Sequence, residues 1–291
     1  MVDTLQRNGF QFFIFSHLPT MHKTSYQNEL TIPAPQRRGG SNSRRAVEKI
    51  QAWLSLYEMR NPGSGTASAI DGDFGPATER TVRAFQERED LPATGVVDQA
   101  VFNRLCQPLT RAFAPNGTTG TLRERIVRTA QQHLQNQPSE LVIRNQTNAG
   151  PWVRSYMDGH DGSAWLWCMG FVQTIIDQAA SAVGKDFRQL MPVTFSCDTV
   201  GTVGLQKGVL LRSAAVRNDA SRVQPGDVFL LVQSPHDWIH TGLIVNVGDE
   251  TFETIEGNTN AGGSTNGTGV FRRVRNFTRA KLDVFSVESL T

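Results

Sequence analysis

Cysteine is scarce in this 291-residue chain: only Cys106, Cys168 and Cys197 occur. An odd number cannot close a complete set of intrachain disulfides, and no pair has the Cys-x-x-Cys spacing of a metal site. At least one thiol is therefore free. Long apolar runs are missing too. None approaches the ~20 residues of a membrane-spanning helix, so membrane insertion is not expected. Net charge is nearly absent, with Lys+Arg 29 against Asp+Glu 27 and a formal charge of +2. Nucleic acid and anionic membrane surfaces are thus not expected as partners, since no global field would draw them. A secretory signal is not recognisable either. The apolar patch from Phe10 to Phe15 is interrupted by Gln11, only Arg7 precedes it as a basic residue, and no small-residue cleavage site follows promptly.

What remains is ordinary globular material, 38% hydrophobic and 19% charged, which argues against disorder. The length suggests two domains of about 150 residues or less. Residues 1–40 lack periodicity and end in Pro33-Ala-Pro35 and Arg37-Arg38-Gly39-Gly40, the composition of a leader and flexible linker. Residues 41–110 form a small helical unit. Ser43 can cap a helix carrying Val47, Ile50, Leu54 and Tyr57, and Pro76 suits the first turn of a second helix with Val82 and Phe85. A third short helix holds Val97, Val101 and Leu105. Residues 111–122, with Pro115-Asn116-Gly117, read as a second linker.

Residues 123–291 form the second domain. A helix from about Thr121 to Gln135 precedes another starting near Cys168 and stopping before Gly184. The remainder alternates with period two, giving candidate strands Asp227–Val232, His240–Val247, Thr251–Asn258, Val270–Arg275 and Leu282–Val287. The class is therefore α+β, helices first and a meandering antiparallel sheet after.

The stretch Ile70-Asp-Gly-Asp-Phe-Gly-Pro76, followed by Phe85-Gln86 and Leu91-Pro-Ala-Thr-Gly95, resembles the signature of the peptidoglycan-binding type 1 domain. That resemblance implies a three-helix bundle that docks cell-wall polymer. Asp71-x-Asp73 serves as a loop-stabilising turn, because the ligand series of a calcium loop does not continue.

Four further segments fall in order: Trp165-Leu-Trp167-Cys168, Pro225-Gly-Asp-Val, His240-Thr-Gly-Leu and Glu256-Gly-Asn258-Thr. This order resembles the CHAP family of cysteine- and histidine-dependent amidohydrolases/peptidases. The resemblance implies a papain-like fold for residues 123–291, with Cys168 as nucleophile, His240 as base, and Glu256 or Asn258 as the group that orients the imidazole. Trp165 and Trp167 would form an aromatic approach to substrate.

The chemistry agrees. Amide hydrolysis needs a nucleophile stronger than water, and a helix N-terminus with a neighbouring imidazolium lowers a thiol pKa. A strand places Glu256 and Asn258 on one face, where an acceptor can fix the tautomer of His240. The Cys168 N–H is a candidate oxyanion donor. His160 and His236 compete weakly with His240 as base: one sits in a glycine-rich loop, the other in a turn. Cys106 and Cys197 read as structural. Arg272, Arg273, Arg275 and Arg279 form a basic strip, read as a solvated strand face.

No organic cofactor is required. Asp158 and Asp161 could hold calcium, but two carboxylates are too few to define such a site. The expected function is a peptidoglycan hydrolase, a monomer, cutting either the muramoyl–L-alanine amide or a bond within the wall peptide. It would act in the periplasm or extracellular wall as a phage lysin or an antibacterial effector. An effector would bring secretion machinery and an immunity protein as further partners. The rivals are a non-catalytic wall-binding protein and a cysteine peptidase acting on proteins.

Overall fold

The computed structural model describes residues 21–117 and 119–291. The readings of Phe10–Phe15 and of a leader over residues 1–20 lie outside the described residues, as does Thr118 of the second linker. After a short 3-10 turn at Ser25–Glu29, the first module holds α1 (Arg44–Arg60), α2 (Pro76–Arg88), α3 (Gln99–Leu105) and α4 (Gln107–Ala112). Ser43 caps α1 as its sequence implies, its hydroxyl accepting from the Ala46 N–H. Pro76 opens α2 and Asp98 caps α3. Val47, Ile50, Trp53, Leu54, Phe85 and Phe102 fill the core of the module.

Two glutamines explain why the motif residues recur where they do. Gln51 accepts from the Asp71 and Gly72 N–H groups and donates to Asp71 and Thr78, fixing the Asp71-x-Asp73 turn. Gln86 accepts from the Gly95 N–H and donates to the Val96 carbonyl, bracing the loop between α2 and α3.

The second module begins with α5 (Leu122–Gln135), whose Thr121 and Glu124 form a capping box. A hairpin of β1 (Leu141–Ile143) and β2 (Gln146–Ala149) follows, then α6 (Pro151–Tyr156), α7 (Cys168–Ser181) and α8 (Cys197–Lys207). After β3 (Leu210–Leu211) and α9 (Ser213–Asn218) come β4 (Val228–Ser234), β5 (Asp237–Val247), β6 (Thr251–Thr259), β7 (Gly269–Asn276) and β8 (Leu282–Phe285). The sheet is antiparallel, with strand order β3-β8-β4-β5-β6-β7. Val228, Leu230, Leu243 and Ile255 join the core that contains α7, whereas Phe229, Ile244 and Phe252 join a second core. That alternation is the period-two pattern read from the sequence. No helix among the described residues is long and apolar enough to cross a membrane.

Within the stretches expected to be linkers, the described residues 21–40 and 111–117 make packed contacts. Lys23 and Glu29 are buried, and Glu29 holds the Arg154 guanidinium through two bonds of 2.9 and 2.8 Å. Tyr26 stacks on Phe113 at 3.9 Å, and Gln178 of α7 donates to the Ala112 carbonyl. Trp53 of α1 meets Trp152 of α6 edge-on at 6.0 Å. One continuous core therefore runs through both modules, and the first module is docked on the second rather than strung from it. The reason is compositional. Tyr26, Glu29 and Phe113 interrupt these stretches, and each packs against or pairs with a residue of the other elements.

Candidate active site

Cys168 is the first residue of α7. The first turn of a helix carries N–H groups without intrahelical acceptors, and the sulfur faces that turn; the Met169 N–H is one of the groups that stabilise its anion. Close approach of β6 to α7 brings in the other partners. A Cβ on Gly257 would lie 2.7 Å from Phe171 and 3.0 Å from Trp167, so only glycine fits at that crossing. Gly242 makes equivalent room for Glu256, whose Cγ would be 2.7 Å from an added Cβ.

His240 and Glu256 are fully buried, with Nε2 2.9 Å from Oε2. A carboxylate at Nε2 fixes the proton there. Among the described residues, Nδ1 has no partner beyond its interaction with the Cys168 thiol. Glu256 accepts four bonds in all. Arg275 donates through Nε (2.7 Å) and Nη2 (2.7 Å), and the Thr254 hydroxyl donates at 2.5 Å. Arg275 also lies over the Phe229 ring. Arg275 was expected on a solvated face; the pairing of β6 with β7 turns it inward instead, onto the carboxylate.

Electrostatics couple these groups. The Cys168 thiol is held well below the ordinary range, first by hydrogen bonding from Cys197, then, against burial, by His240 and the Met169 N–H. Burial alone would lower His240, but Cys168 and Glu256 together carry it up to about 9. Burial would raise Glu256; His240 and Arg275 hold it down to about 2. A thiolate–imidazolium pair backed by a carboxylate is the favoured state.

Asn258 does not touch His240. Its backbone is left-handed, with φ 55°, at a break in the β6–β7 register. With its amide oriented to suit its neighbours, its oxygen accepts from the Trp167 N–H at 3.2 Å and its nitrogen donates to the Gly267 carbonyl at 2.9 Å. Glu256 is hydrogen-bonded to the imidazole, and Asn258 to the start of α7. Trp167 is buried and its indole donates to Glu140 at 3.0 Å, so it supports the site from behind. Trp165 stays half-buried, stacked on His160 at 4.2 Å and edge-on to Phe195 at 5.9 Å. Cys197 begins α8 with its sulfur 4.0 Å from that of Cys168; it belongs to the site. Cys106 is remote from these groups, and burial pushes its thiol up to about 12.

The sulfur of Cys168 is close to sealed, the residue being 4% exposed. A cavity of about 640 Å³ lies elsewhere, between the modules, lined by Arg44, Arg45, Lys49, Arg144 and Arg154. Asp158, considered for calcium, pairs with Lys23 at 2.9 Å, and Asp161 with Arg154 at 2.8 Å. Among the described residues, no group of three or more His, Cys, Asp or Glu is placed to hold a metal ion.

Comparison with known proteins separates the two modules. Residues 43–105 match the family model described as a putative peptidoglycan binding domain. A zinc D-Ala-D-Ala carboxypeptidase of Streptomyces albus G is 41% identical over 66 residues, 23% of this chain and 24% of that protein. The chain thus spans about a quarter of the length of the curated relative it matches. No solved structure matches it. Residues 43–105 therefore belong to the putative peptidoglycan-binding domain family.

Proposed function

We propose that this chain is a peptidoglycan hydrolase that cleaves an amide bond of the wall peptide with a cysteine nucleophile, on a papain-like domain of the CHAP type. The observation that carries the reading is the buried series Cys168, His240, Glu256, in which one ring nitrogen is bound to a carboxylate and the other is left for the thiol. His240 takes the thiol proton through Nδ1. The Cys168 sulfur attacks the amide carbonyl, and the Cys168 N–H at the tip of α7 binds the oxyanion. His240 then protonates the leaving amine. Water, activated by the same imidazole, releases the acyl group from sulfur. Arg275 and Thr254 keep Glu256 ionised and fixed throughout.

Trp165, with Phe195, offers a half-exposed aromatic surface on the loops that precede Cys168 and Cys197, suited to the faces of sugar or peptide groups. The docked module holds the polymer at a set orientation to the site. The bond is either the muramoyl–L-alanine amide or one within the stem or cross-bridge. A lysin released by phage or an effector injected into a competitor both fit wall chemistry at such a site. Mass spectrometry of muropeptides released from purified sacculi tests the reading: new amine and carboxyl ends are expected, and sugar-bond cleavage or no release would overturn it.

A second reading has one observation in its favour. Cys168 is 4% exposed, as in a wall-binding protein whose thiol site is silent. A small thiol-reactive probe near neutral pH separates the two. Rapid labelling of Cys168 supports the enzyme, and an inert sulfur supports the binding protein. A casein digest beside the sacculus digest separates a general cysteine peptidase.

A further inference from the structure

Two thiols meet at this site, and the mechanism above uses only one. Cys168 and Cys197 each begin a helix, α7 and α8, and their sulfurs are 4.0 Å apart. They are 29 residues apart in the chain, so folding rather than local sequence brings them together. A disulfide needs the sulfurs to approach to about 2.05 Å, a further movement of about 2 Å. Both residues are nearly enclosed, at 4% and 7% exposure. A peroxide-sized molecule suits that space better than a second protein thiol or a tripeptide thiol does.

We propose that Cys197 is a resolving thiol, so that hydrogen peroxide converts Cys168 into a reversible Cys168–Cys197 disulfide and makes the protein latent until a dithiol reduces it. In the first step the Cys168 thiolate attacks a peroxide oxygen. An S–O bond forms, the O–O bond breaks, and the hydroxide that leaves takes up a proton to give water. In the second step the Cys197 sulfur attacks the sulfenyl sulfur. The S–S bond forms, the S–O bond breaks, and the departing hydroxide takes the Cys197 proton as a second water. Two thiols and one peroxide thus give one disulfide and two waters. A dithiol restores both thiols by exchange. The second step competes with further oxidation of Cys168 to the sulfinic acid, which is irreversible in such a protein. Proximity favours the disulfide, because the resolving sulfur is already in contact. The electrostatics agree: the Cys168 anion is stabilised chiefly by the Cys197 S–H, while Cys197 keeps its proton until that charge is gone.

This inference rests on the proposed function only for its effect on activity; the thiol chemistry can be read without it. The full chain is treated with hydrogen peroxide, denatured, alkylated and peptide-mapped. The expected product has Cys168 linked to Cys197, Cys106 alkylated, and both thiols returned by dithiothreitol. In Cys197→Ser and Cys197→Ala, Cys168 should instead pass to sulfinic acid. The fraction of sacculus-cleaving activity recovered by dithiothreitol should then be at least about tenfold smaller than in the parent chain. Sulfinic acid at Cys168 of the parent with Cys197 still free, or a disulfide between chains, overturns the proposal. A disulfide in a protein that never digests sacculi supports it while removing the hydrolase reading.

Discussion

Nε2 of His240 and Oε2 of Glu256 are 2.9 Å apart with both side chains removed from solvent. Arg275 and Thr254 complete the carboxylate. An ion pair this dry persists only because every acceptor is used. It fixes which ring nitrogen is left for chemistry.

Glu256→Gln should therefore lower kcat by about 10²- to 10⁴-fold. It should also move the alkaline fall of the activity profile towards the ordinary imidazole value of 6.5. Asn258→Ala should lower the melting temperature through the start of α7 and leave that alkaline limb where it is. If Asn258→Ala moves the limb and Glu256→Gln does not, the orienting role belongs to the amide.

Activity should depend on pH through the thiolate–imidazolium pair. The pair forms as pH rises through the lowered Cys168 value and is lost as His240 deprotonates near about 9. Stability follows the same groups. Glu256 is depressed from 4.5 to about 2, so its contribution is present above pH 4.5 and disappears as pH falls towards 2. His240 is raised from 6.5 to about 9, so its contribution is complete below 6.5 and disappears as pH rises through 9. Rate profiles beside thermal melts over this range check both signs.

Arg275→Met leaves Glu256 with a buried charge and two lost bonds. A cost of about 3–5 kcal/mol is expected, with the imidazole less firmly held. Arg275→Lys should restore much of the stability but not the two-point grip. Denaturant titration with kcat for both variants distinguishes a positioning role from bulk packing: equal kcat per folded molecule in Arg275→Met would contradict the former.

The docking of the modules predicts a single cooperative transition in calorimetry. Trp53→Ala removes the indole that meets Trp152 and should cost about 3–5 kcal/mol. It should also separate the melting of the two modules. Two well-resolved transitions in the parent chain would show instead that the modules fold independently.

The sequence was most informative where periodicity and backbone need coincide. The alternation in Val228–Ser234, Asp237–Val247 and Thr251–Thr259 marks the strands, and the cap at Ser43 and the proline at Pro76 mark helix starts. It was least informative about partners brought together by topology. Arg275 reads as one arginine in a strip because its carboxylate is on a neighbouring strand. Cys197 begins a helix rich in poor helix formers, Gly201 and Gly204, which hides α8 from pattern reading. Trp165 and Trp167 look alike in sequence, yet only Trp167 is drawn into the core at the start of α7. The left-handed turn at Asn258 breaks the simple rule that residues two apart on a strand share a face.

The central claim is that Cys168 is the attacking atom at the wall. Its most direct measurement is release of soluble muropeptides from purified sacculi by the parent chain and by Cys168→Ala, with sacculus pull-down run on the same samples. Loss of release with binding retained is the predicted result. Undiminished release by Cys168→Ala would contradict the account.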